Sequence, residues 1–202
     1  YDGKTDTLLD VGLGLYVSIN TLQTVGNSYE LKVKTNKGEV LSSITTIQQQ
    51  VTADTVTPII LRTFADTAVQ LRLRFTDLPG KNFYMLNFYT NSGTGGLDFN
   101  NFFKNGTNLL NRTDLVSDFE LENGIYAKTL DLDGVRATDS LVVSVSNISE
   151  DYFEYLNQRK QSGKLLQQVF NEPINYCTNI VNGYGFFNAH YPDLYFFDLK
   201  KY

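Results

Sequence analysis

Residues 68–75 read AVQLRLRF. On an extended chain Val69, Leu71, Leu73 and Phe75 fall on one face, and Gln70, Arg72 and Arg74 fall on the other. A helix cannot sort these residues that way. The pattern returns in SYELKVKT (28–35), with Tyr29, Leu31 and Val33 opposed to Glu30, Lys32 and Lys34. Asn36 and Gly38 then supply a tight turn, and EVLSSITTI reads as the returning strand. LGLYVSIN (13–20) alternates only roughly. Half-buried strands are therefore the repeating unit, and the fold class is mainly β and sandwich-like.

After AVQLRLRF comes DLPGKN, a turn in which Pro79 presets φ and Gly80 tolerates a positive one, and then FYMLNFYT (83–90). These segments are predicted to form a β-hairpin. GIYAKTLDL (124–132) and DSLVVSVSNI (139–148) add two strands. SEDYFEYLNQRKQSG is the helical stretch, expected near 149–162. Ser149 is its N-cap, Glu150 and Asp151 complement its positive end, and Tyr152, Phe153, Tyr155, Leu156 and Arg159 make an amphipathic face. KLLQQVF extends it by a turn or two, Pro173 breaks the pattern, and the chain returns to aromatic, strand-like sequence.

QQQVTADTVTP is polar and ends at Pro58. It reads either as a linker near 52–58 or as an inter-strand loop. The linker reading divides the chain into 1–52, an Ig-like β-sandwich portion, and 58–202, a larger β domain carrying the helix. The chain opens at Tyr1 without Met, in β-rich sequence, and is expected to be processed, trimmed or partly ordered.

Composition narrows the function classes. The net charge is −5 with no basic run, which argues against nucleic acid. The 13 Tyr and 14 Phe, with no Trp, favour pleated surfaces. One Cys excludes an internal disulfide.

Cys177 and His190 flank a Gly-Tyr-Gly turn, the arrangement of a thiolate with its base. A lone Cys in such sequence is more commonly a small buried hydrophobe, and no catalytic residue is assigned. Zinc lacks ligands, and no metal is expected. DLDG (131–134) and TDTLLD (5–10) carry carboxylates without EF-hand spacing and read as turns and strand ends. GTGG (93–96) lacks the Lys-Ser/Thr of a phosphate loop, and no cofactor is expected. Arg72 and Arg74 share a face that suits an anion but more commonly meets solvent. The Asn- and Gly-rich segment 91–118 embeds Phe99, Phe102 and Phe103. These three are the candidate contacts for a glycan, peptide or partner, or else they tuck the loop onto the sheet.

Three motifs together resemble a large Bacteroidetes family of outer-membrane lipoproteins of unknown function. GLYVSINTLQTVGNSYELKVKTNKGEVLSSITTI is similar to its first conserved segment. VQLRLRFTDLPGKNFYMLNFY, with Asp77, Pro79, Gly80, Asn82, Phe83 and Tyr84, is similar to its hairpin. TNIVNGYGFFNAH carries its closing signature at Asn179, Ile180, Gly183, Gly185 and Phe187. The family's lipobox Cys is missing from this chain. The resemblance implies a protein tethered to the outer membrane through a lipid anchor. It also implies an accessory or ligand-binding role beside a TonB-dependent receptor, with no catalytic residues to carry over. A structural or adhesive surface module is the alternative. An unrecognised hydrolase is a third reading, and it requires two carboxylates facing across a cleft.

Overall fold

The computed structural model describes residues 4–12, 14–18, 22–62, 64, 67–91, 109–162 and 176–202. The protein is mainly β. Its strands are β1 (Leu9–Gly12), β2 (Leu15–Val17), β3 (Ser28–Lys34), β4 (Val40–Thr46), β5 (Ala53–Arg62), β6 (Thr67–Thr76), β7 (Phe83–Asn91), β8 (Leu109–Ser117), β9 (Ile125–Asp131), β10 (Ser140–Ile148) and β11 (Asp193–Asp198). The single helix among the described residues is α1 (Glu150–Ser162).

Two sheets form a sandwich, one ordered β5-β6-β9 and the other β11-β10-β7-β8, every pairing antiparallel. The alternating side chains of β6 create its core. Val69, Leu71, Leu73 and Phe75 are buried against Tyr84, Leu86 and Phe88 of β7 and Leu141, Val143 and Val145 of β10. Each such side chain contributes about 1.5–3 kcal/mol on leaving water. Phe75 sits at the centre, stacked on Tyr126 at 4.9 Å and edge-on to Tyr84 at 4.8 Å.

The second sheet is covered on both faces. Behind it, Phe83, Met85 and Ile148 receive Tyr152, Phe153 and Leu156 of α1. That explains the FYMLNF run of β7, which is buried at six successive positions where a one-sided strand would alternate. Ser149 caps the helix as expected, its Oγ accepting from the Tyr152 N–H at 3.3 Å.

The expected β6–β7 hairpin does not form. Both edges of β6 are taken by β5 and β9, and both edges of β7 by β10 and β8. DLPGKN is instead an arch that carries the chain from one sheet to the other, and polar pins hold it. The Tyr84 hydroxyl donates to Asp77 and accepts from the Leu78 N–H at 3.0 Å. The Asn82 side chain donates to the carbonyls of Leu78 and Gly80, and its N–H donates to Asp118 at 2.8 Å. The resembled motif is thus a pinned crossover with an exposed tip at Pro79–Lys81, which a local alternation pattern cannot distinguish from a hairpin.

N-terminal to Ala53 lie two antiparallel ribbons, β1–β2 and β3–β4. Of the polar stretch, only the part before Ala53 stays irregular, since β5 begins there and continues through Pro58. The Tyr195 hydroxyl fastens that point. It donates to Asp193 and accepts from the Ala53 N–H at 3.0 Å.

Candidate functional site

Phe99, Phe102 and Phe103 lie outside the described residues, as do KLLQQVF and Pro173. The described structure draws attention to 176–190, expected to be strand-like. Apart from one bridge at Val181 it forms no strand; strand structure resumes only at β11.

Hydrogen bonds within this stretch close it into a loop. The Asn179 carboxamide meets both backbone groups of Phe187, and the Thr178 hydroxyl donates to the Gly185 carbonyl at 2.7 Å. On one side the loop joins α1. The Cys177 N–H donates to Gln158 at 3.0 Å, and the Phe186 ring packs on Tyr155 at 5.1 Å and Tyr152 at 5.3 Å. On the other side it joins β4. Val181 and Ser42 exchange backbone hydrogen bonds, the Asn182 side chain donates to the Val40 carbonyl, and the Ala189 N–H donates to the Thr45 hydroxyl.

The two glycines serve different needs. A Cβ at Gly183 would land on Cδ2 of the half-buried Leu41, so a side chain there requires Leu41 to turn aside. Gly185 has open space around it but takes φ +125°, a conformation L residues rarely adopt.

Cys177 and His190 do not form a nucleophile–base pair. No hydrogen bond joins them. Burial and the nearby Glu154 charge push the Cys177 thiol up, away from thiolate. Burial pushes His190 down, and its Nδ1 faces the Asn188 side chain at 3.1 Å. Among the described residues no three His, Cys, Asp or Glu side chains converge to hold a metal ion. Asp77 and Asp118 both lie at the arch, where Asp77 accepts from the Tyr84 hydroxyl and Asp118 from the Asn82 backbone N–H. Arg72 and Arg74 face solvent on the outer side of β6, beside Thr57 and Thr129 in register with Arg72, and Arg74 lies 4.0 Å from Asp54.

What the braced loop presents is Tyr184, 93% exposed, with Val181 also exposed and Tyr176 beside Tyr155. Tyr184 was not among the sequence candidates. Its signal was a Tyr held between two glycines that the loop itself requires. The arrangement suits recognition by an aromatic ring on a fixed backbone. No helix among the described residues is long and apolar enough to cross a membrane.

No curated protein and no solved structure matches the chain. One protein family does, over residues 2–192, and its description is a domain of unknown function, DUF4249. With nearly its whole length matched, the chain belongs to the DUF4249 family.

Proposed function

We propose that this protein is a non-enzymatic, ligand- or partner-binding component of the cell envelope. In this reading it is lipid-anchored to the outer membrane and works beside a TonB-dependent transporter. The observation that carries the binding role is Tyr184, exposed on a loop whose backbone is fixed by Asn179 and Thr178. A preorganised loop removes the ordering cost of binding through that ring. The sequence resemblance supports the envelope setting and the transporter. The state of Cys177 and His190 supports a non-enzymatic role. An adhesive module is supported by a different feature, the apolar face of β1–β2, where Leu9, Val11 and Val17 are exposed.

The test pairs binding with stability. The purified protein and its Tyr184→Ala variant are screened against glycans, extended peptides and a detergent-solubilised transporter encoded beside it. The expected result is a binder whose affinity drops about ten-fold or more in the variant, as for an aromatic anchor, with an unchanged melting temperature. Substrate turnover without binding, or equal binding by the variant, overturns the proposal.

A further inference from the structure

The β3–β4 ribbon is attached to the sandwich in an unusual way. No other strand ladders onto it among the described residues. Its sheet-like link is the Ser42–Val181 bridge, supplemented by polar contacts from Asn182 and Ala189. The face of β4 that meets the loop sets two buried hydroxyl residues between Leu41 and the buried Ile47. Ser43 is 4% exposed and Thr45 is 7% exposed. Neither the Ser43 hydroxyl nor the Asn188 side-chain oxygen next to Ala189 has a hydrogen-bond partner among the described residues. Buried polar atoms left unpaired favour any state in which water reaches them. The core between the sandwich sheets is apolar and closed, and the comparable oxygens there, on Ser146 and Asp118, lie outside that layer.

The chain between the two parts is built to match. Ile47 stays with the ribbon, its N–H donating to the Asn27 carbonyl and its carbonyl accepting from the Gly26 N–H. Val51 belongs to the sandwich core. Only Gln48, Gln49 and Gln50 separate them.

We propose that the β3–β4 ribbon is an arm that undocks as a unit, hinged at Gln48–Gln50 and held shut by the 178–189 loop, while the sandwich stays folded. Undocking trades the Ser42–Val181 hydrogen bonds for water. It also relieves the unpaired Ser43 hydroxyl and bares a strand edge of the kind extended peptides join.

Native-state amide hydrogen exchange followed by NMR tests this. Ser42 and Val181 should share one opening rate and exchange about 100-fold faster than Leu86 and Val143 in the core. Ser43→Ala removes the unpaired hydroxyl and should slow that opening about three-fold or more, whereas Thr45→Val removes the acceptor of Ala189 and should speed it similarly. Neither variant should change the exchange of Leu86 or Val143. The proposal fails if Ser42 and Val181 exchange only with global unfolding. It also fails if Thr45→Val accelerates the core amides as much as the loop amides, or if Ser43→Ala speeds opening.

Discussion

The Asn179 carboxamide closes on both backbone groups of Phe187: its Nδ2 donates to the Phe187 carbonyl and its Oδ1 accepts from the Phe187 N–H, each at 2.8 Å. One side chain thereby imitates a strand neighbour and sets the loop's width. Asn179 and Phe187 are the two ends of the signature, and the glycines between them let the enclosed backbone reach β4.

Gly183 and Gly185 should therefore respond differently to substitution. Gly183→Ala sets a methyl against the half-buried end of Leu41, which must turn aside, and is expected to cost up to about 1 kcal/mol. In a Leu41→Ala background that cost should nearly vanish, giving a coupling energy of about 0.5–1 kcal/mol in a double-mutant cycle. Gly185→Ala should cost about 1–3 kcal/mol through backbone strain alone, and Leu41→Ala should not rescue it. Urea denaturation of the variants measures all of these.

Tyr84→Phe keeps the ring in the core and removes the hydroxyl that joins Asp77 to the Leu78 N–H. Both partners lose their hydrogen bond where the chain crosses between sheets. The expected loss is about 1–3 kcal/mol, read as a lower urea midpoint with an unchanged slope.

Stability should fall toward both acid and alkaline pH. Burial lowers the His190 pKa in the folded protein below its ordinary 6.5. Above 6.5 both states are neutral and nothing is lost. Below it the unfolded chain takes up a proton that the folded protein refuses, so stability falls as pH drops until the folded pKa is passed. His190→Gln should flatten that acid limb. At high pH the sign reverses. Burial, with Asp193 bonded to the hydroxyl, pushes Tyr195 from 10.0 up to about 12. Its contribution is complete below pH 10 and is lost as pH rises from 10 to about 12. Tyr195→Phe should remove part of that loss and leave the share due to Tyr126, which burial also raises to about 12. Urea midpoints across the pH range give both limbs.

How far these features were legible depends on whether their cause is local. The alternation in SYELKVKT and AVQLRLRF placed β3 and β6; in β6 the apolar face is buried, whereas β3 leaves Tyr29 and Leu31 half-buried and Val33 exposed. Ser149 and the acidic residues after it placed α1. The arch at Asp77–Asn82 was not legible, since hairpin and crossover share the same turn chemistry and differ only in which strands flank each side. The unbroken FYMLNF run was the available clue, because a strand buried on both faces has a cover beyond its own sheet. The attachment of Asn182 to Val40 and of Gly183 to Leu41 was equally hidden, since those partners are far apart in the chain. The glycines announced a close approach without naming what was approached.

The β3 strand ladders with β4 alone among the described residues, so its far edge is a sheet edge. Along it Lys32 and Lys34 interrupt Leu31 and Val33. Lys32 lies 3.0 Å from Glu30 on the same face. A neighbouring molecule that tried to continue the ribbon would have to strip water from these charged side chains, and that cost works against edge-to-edge aggregation, most of all where many copies are crowded together.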